Sequence, residues 1–187
     1  MSAKAKEGER VKRFIVDSDV VASATEKLEK RAITCRKLLL TLYSTLHEVL
    51  LTPGIKKEWE ARYPGFAQSW AAKMAQKGLL IEVKNDPVSG LAEEIRALDI
   101  IPEIAAIMLK DCHLLEAALT AGKAVFSQDD SAYAHFYDAS SKIERLQTIM
   151  WANPERVADE CEAWLRPGAR REQKRCIGHR PKRSKHL

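Results

Sequence analysis

The sequence predicts an α/β domain in which helices cover a central parallel sheet of about five strands. Two observations carry this. Short apolar runs of three to five residues alternate along the chain with stretches whose apolar residues recur at helical spacing. Within the runs the apolar residues are consecutive instead of alternating with polar ones, as in strands covered on both faces, and such strands belong to parallel sheets. At 187 residues the chain suffices for one well-filled domain and not comfortably for two.

The first strand is placed at Arg13–Val16, running directly into Asp17-Ser18-Asp19. Cys35, Leu38, Leu39, Leu42, Tyr43 and Leu46 then form one apolar stripe on a helix over Ile33–Leu46. The stripe reads as core, and secondarily as a face for a homodimer or a partner helix. Val49–Leu51 is the second strand, closed by Thr52-Pro53-Gly54. Ile55 to Gln76 is helical with an interruption at Pro64-Gly65 and a stop at Gly78. Trp59, Tyr63, Phe66 and Trp70 lie at helical spacing in this stretch, mostly as core, with one or two free to stack on bases.

Leu79–Val83 is the third strand, followed by the turn cluster Asn85-Asp86-Pro87. Leu91–Leu98 is helical, and Pro102 suits the first turn of a further helix, whose pattern closes over Ala117–Leu119 before Gly122. Ala124–Ser127 is the fourth strand, leading into Asp129-Asp130. Tyr133–Leu146 is helical, Thr148–Trp151 is the fifth strand, and Pro154–Leu165 is the last helix. The chain thus divides into an N-terminal extension (1–12), a domain (13–165) and a tail (166–187).

With 45% hydrophobic and 30% charged residues, collagen-like and wholly disordered classes are excluded. No apolar run approaches the roughly 18 residues of a membrane span, and no apolar stretch precedes Phe14 as a secretory signal would, so a cytoplasmic location without membrane contact is expected. The net charge of +5 is uneven: residues 166–187 carry +8 and the rest −3. Arg170, Arg171, Lys174 and Arg175 of this tail are candidates for neutralising nucleic-acid phosphates, while a flexible, solvated appendage is the equal alternative. Cys35, Cys112, Cys161 and Cys176 are scattered without a CxxC pair and read as reduced thiols. Cys176 and His179 have a ligand-like separation, but no second pair accompanies them.

In open parallel sheets, ligands collect beyond the carboxyl ends of the strands. Asp17 and Asp19 follow the first strand and Asp129 and Asp130 the fourth. Glu58 and Asp111 are expected to reach the same edge from helix starts. Two unit charges 4 Å apart repel by roughly 4 kcal/mol at an effective dielectric near 20, so gathered carboxylates call for a cation or a shared proton. A hard divalent ion with oxygen ligands answers this, and an acid-only site points to phosphate-ester chemistry. Singly, each acid reads as readily as a turn or helix cap; Asp130, before Ser131 and Ala132, looks like one, and Glu60 like surface.

Four stretches, in order, resemble the PIN-domain ribonucleases: Phe14-Ile-Val-Asp17-Ser18-Asp19-Val20; Val49-Leu-Leu-Thr52-Pro53 followed by Glu58; Lys110-Asp111-Cys112-His113-Leu114-Leu115-Glu116-Ala117-Ala118-Leu119; and Ala124-Val-Phe-Ser127-Gln128-Asp129. The resemblance spans about Phe14 to Trp164. It implies a three-layer α/β/α sandwich that binds Mg2+ or Mn2+ and cuts single-stranded or structured RNA by in-line attack of metal-activated water. Under it, Asp17, Glu58, Asp111 and Asp129 form the acidic site, with Asp17, Asp111 and Asp129 on the metal. Ser18, Asp19 and Ser127 support it by hydrogen bonding. Asp19 departs from the Asn or Ser frequent in relatives, and helix phase decides whether Glu58 or its neighbours Glu48 and Glu60 point inward. The resemblance extends to toxins of toxin–antitoxin pairs, hence to an antitoxin protein as partner, and equally to defence or housekeeping nucleases.

Two other readings remain open. Asp17-Ser18-Asp19 also has the Asp-x-Asp spacing of a haloacid-dehalogenase-like phosphatase, with Asp17 as nucleophile, but the Lys110–Leu119 stretch has no place there. The third is a catalytically inactive PIN protein that binds RNA or serves as a scaffold.

Overall fold

The computed structural model describes Arg10, residues 12–156 and residues 159–179. The extension before Arg10 and the last eight residues of the tail lie outside the described residues. Five strands form one sheet: β1 (Arg13–Val16), β2 (Glu48–Leu51), β3 (Leu80–Glu82), β4 (Ala124–Phe126) and β5 (Met150–Ala152). All neighbours run parallel, in the order β3-β2-β1-β4-β5. Phe14, Ile15, Val16, Val49, Val125 and Phe126 are buried, as strands covered on both faces require.

The connections are helical: α1 (Ser18–Ser23), α2 (Lys30–Ser44), α3 (Pro53–Ala61), α4 (Gly65–Gln76), α5 (Leu91–Arg96), α6 (Pro102–Thr120), α7 (Asp130–Ala139) and α8 (Cys161–Leu165). Parallel crossovers are right-handed, and the chain moves outward from β1 to β3 before crossing back to β4. The helices between β1 and β3 therefore cover one face and those between β3 and β5 the other. Accordingly, α2 packs on α4 and α8, and α6 packs on α5 and α7. The result is a three-layer α/β/α sandwich. Among the described residues, no helix is long and apolar enough to cross a membrane.

Four sequence expectations change. Asp111 lies in the middle of the 19-residue α6 instead of near a helix start, because the helix opens at Pro102 and runs unbroken to Thr120. The helix expected over Tyr133–Leu146 ends at Ala139, and a 3₁₀ turn follows at Glu144–Thr148. The last helix begins at Cys161, not Pro154; Asn153 receives its side-chain and backbone contacts in a turn there, with Glu155 N donating to Asn153 Oδ1. Residues 166–179 are packed on the domain instead of standing off as an appendage. Arg175 is buried, donates to Glu172 Oε2 (2.8 Å) and to the Asp159 carbonyl, and lies 4.6 Å over the Trp164 ring. Arg171 is also buried and donates to the Gly122 and Thr148 carbonyls. Lys174 stays exposed and pairs with Glu172 at 3.4 Å, and the Arg170 carbonyl accepts the Trp164 indole N–H.

Candidate functional site

The strand order reverses at β1: its chain successor β2 lies on one side and β4 on the other. The crevice beyond the carboxyl ends of β1 and β4 is therefore the topological switch point. Asp17 follows Val16 directly, and the chain enters α1 there, so the carboxylate is held where backbone direction changes. Ser127 Oγ donates to Asp17 Oδ2 at 2.7 Å and lies 3.4 Å from Asp19 Oδ2. Ser18 Oγ donates to Asp17 Oδ1 at 3.3 Å. The Gln128 amide donates to Asp19 Oδ2 at 2.8 Å, and the Asp129 amide to Ser127 Oγ at 3.1 Å. The β4 end thus supplies the Ser127 and Gln128 donors to the carboxylates that follow β1, and Ser18 adds a donor from the β1 end itself.

Asp17 is only 7% exposed and Ser127 wholly buried. Asp111 is also 7% exposed, because it shares the inward stripe of α6 with Met108, Cys112 and Leu115, where spacing calls for an apolar residue. Asp129 caps α7, its Oδ1 accepting from the Ala132 amide at 2.8 Å. The capping role expected of Asp130 thus falls to Asp129. Asp130 instead opens α7 and is engaged by Arg156 and by Asn153 Nδ2 (3.1 Å). Glu58 is part-buried on α3, while Glu60 is exposed and Glu48 pairs with Arg13 at 2.7 Å. Helix phase therefore selects Glu58.

The electrostatics show these acids acting on one another. Burial raises the pKa of Asp17, and Glu58 adds repulsion, against the Ser127 hydroxyl and neighbouring amides. Asp19 is pushed up to about 7 by burial first and then by Asp17, with a smaller push from Asp129. Asp111 is pushed up to about 6, chiefly by burial; Lys110 opposes this, and Asp17 and Asp129 reinforce it. Carboxylates from β1, α3, α6 and the β4–α7 turn therefore share one locality, although they are far apart in sequence.

The donor set is carboxylate and hydroxyl oxygen, which suits Mg2+ or Mn2+ better than a softer metal. Asp19 Oδ1 is buried and accepts no hydrogen bond among the described residues, a state that favours a proton or a cation at that oxygen. As the side chains stand, no three His, Cys, Asp or Glu groups among the described residues close on one point as ready-made ligands. Asp129 is turned to its helix cap, and Glu58 lies 3.4 Å from His113 Nε2. Cys176 and His179 likewise belong to no such group.

Sequence reasoning passed over three residues. Gln128 is a buried hub: its Oε1 accepts from Ser23 Oγ and Arg31, its amide serves Asp19, and its Nε2 lies 3.3 Å from Cys35 Sγ. Asn153, just past β5, donates to the Gln128 carbonyl at 3.3 Å. His113 packs against Glu58 and has its Nδ1 3.0 Å from the Lys110 carbonyl. The only advance signal was position: Gln128 and Asn153 both follow strands at the edge that carries the acids. Compared with known proteins, the chain matches no family model, no curated protein and no solved structure.

Proposed function

We propose that the protein is a metal-dependent endoribonuclease of the PIN type, hydrolysing RNA phosphodiester bonds at the Asp17 cluster. The observation that carries this reading is the meeting of Asp17, Asp19 and Asp129 on the Ser127–Gln128 strand end at the switch point of the sheet, with burial raising the pKa of Asp17, Asp19 and Asp111 there. Burying several carboxylates together, with no buried Lys or Arg paired to them among the described residues, costs stability unless a function requires it. Among the described residues, Lys110 lies 3.7 Å from Asp111, but its own side chain is 74% exposed and offsets little.

Asp17, Asp111 and Asp129 would hold Mg2+ or Mn2+, which would supply Lewis-acid stabilisation of the phosphate and a nucleophile at neutral pH. The chain's own groups prepare for this. Ser127 and Ser18 fix both Asp17 oxygens in orientation, and Ser127 also takes the Asp129 amide, so the two acids are set by one hydroxyl. Glu58 stands at the rim, where its carboxylate can accept a proton from an attacking water or orient a leaving group. A toxin role with an antitoxin partner, a homodimer and a cytoplasmic location belong to this same reading.

Incubation of a mixed RNA pool with Mg2+ or Mn2+ tests it. The wild-type protein is expected to cut, Asp17→Asn to lose at least 100-fold in rate, and Asp111→Asn to fall with it. Equal cutting by wild type and Asp17→Asn removes the assignment. No cutting of RNA by wild type, together with phosphate release from a monoester by wild type and Asp111→Asn but not by Asp17→Asn, would favour phosphatase-like chemistry on Asp17 instead.

A further inference from the structure

An open cleft of about 610 Å³ begins at Asp19 and runs outward between the α1–α2 connection and the α3–α4 turn. Its volume is of the size that takes a small organic ligand. Three cations from three separate segments line it, Lys27 before α2, Arg31 on α2, and Arg62 at the end of α3, against two acids, Glu29 and, at its inner end, Asp19. Tyr63 completes the wall. We propose that this cleft is the groove in which a single-stranded RNA segment lies as it enters the acidic cluster, with Arg31 and Arg62 on its phosphates and Tyr63 under a base. The inference rests on the nuclease reading and names the form of its substrate.

Arg31 is pre-oriented, and its ion pair with Glu155 is long at 3.8 Å and half-exposed, so a phosphate can compete with it. Its Nη2 and Nε donate to Gln128 Oε1 at 2.8 and 3.1 Å, and Nε also lies 3.1 Å from Ser23 Oγ. These bonds leave Nη1 without a hydrogen bond among the described residues. A guanidinium held in this way loses little side-chain freedom when it meets a phosphate. The same Gln128 supplies the amide that holds Asp19, so the groove and the acidic cluster share one anchor. Arg62 makes no ion pair among the described residues. Among the described residues the Lys27 ammonium pairs with Glu29 alone, at 3.8 Å, with both side chains about 70% exposed, an interaction that phosphate readily replaces.

Tyr63 is half-buried, its ring 6.1 Å from that of Trp59 at 52°. It is therefore propped from behind and presents a firm surface for stacking. A base reaches such a ring only when splayed out of a helix, which selects single strands over duplex. The packing of Arg171 and Arg175 into the domain moves them away from phosphate duty, so the groove cations replace them as the RNA contact.

Fluorescence anisotropy with a labelled 12-nucleotide single-stranded RNA, in EDTA so that nothing is cut, tests this. Arg62→Glu is expected to weaken binding roughly tenfold or more, and to lower the slope of log affinity against log salt by at least about 0.7. Tyr63→Ala is expected to weaken binding roughly tenfold, with Tyr63→Phe near wild type. Thermal melting of each variant confirms that it is folded. A duplex of the same sequence is expected to bind more weakly than the single strand. Wild-type affinity and salt slope in both Arg62→Glu and Tyr63→Ala would overturn the proposal, as would a preference for duplex. Cleavage by Asp17→Asn bears only on the nuclease reading, because the anisotropy arm needs no turnover.

Discussion

Asp19 shows how much of the site's behaviour resides in one side chain. Its carboxyl is pushed up to about 7 by burial and by Asp17, far above the value it has in an unfolded chain. The folded state thus holds a proton that the unfolded state has released, and between these two values stability falls as pH rises. Asp111, pushed up to about 6, and Asp17 act in the same direction. In EDTA, the melting temperature is expected to drop as pH rises from about 4 to about 7. Mn2+ is expected to recover the loss at pH 8. Asp19→Asn keeps an acceptor for the Gln128 amide while deleting the charge. At pH 8 without metal it is expected to stabilise the protein by about 1–3 kcal/mol, roughly 2–4 °C per kcal/mol, and to have little effect at pH 4. A melt of both proteins across this range reads the sign directly.

The positions of the acids are set by secondary-structure elements. Asp17 is placed by the end of β1, Asp129 by the start of α7, and Asp111 by the inward stripe of α6. Glu58 depends on α3, which begins under the Thr52 cap (Ile55 N to Thr52 Oγ1, 3.4 Å) and Pro53 in its first turn. Its phase is locked by the next residue. Trp59 is 1% exposed, and its indole N–H donates to the Val16 carbonyl at 3.0 Å, immediately before Asp17. This single bond ties the helix bearing Glu58 to the strand bearing Asp17. Trp59→Phe leaves that buried carbonyl without its donor. It is expected to cost about 1–3 kcal/mol in urea unfolding, with cleavage falling as Glu58 loses its registry.

Over the whole molecule, the chain's last described stretch closes the structure instead of trailing from it. The backbone of Cys176 pairs antiparallel with Met150 of β5, and that of Arg170 with Arg10 near the start of the chain. Arg175, inside this contact, stacks on Trp164 and bonds Glu172 and the Asp159 carbonyl, so its charge is satisfied internally. Arg175→Ala is expected to destabilise the protein by about 2–4 kcal/mol, seen as a lower urea midpoint. The sequence expectation for this segment rested on charge count, and composition does not reveal that a guanidinium has an aromatic face and carbonyls waiting for it. The strands, by contrast, were legible to within one or two residues, because a run such as Phe14-Ile15-Val16 can satisfy burial on two faces in few other ways. So were the acids that end those strands. Asp111 was legible as an acid but not as a mid-helix residue, and Asp130 was mistaken for the cap that Asp129 provides. Local pattern is short-range: apolar spacing, turn residues and strand ends follow from neighbours along the chain, and they specify a parallel α/β sheet with carboxylates at one edge. Strand order, the meeting of α3 and α6 acids with those of β1 and β4, the Gln128 hub and the groove beside Asp19 all arise from packing between segments up to about a hundred residues apart. No local preference encodes such contacts; only burial of the whole core selects them.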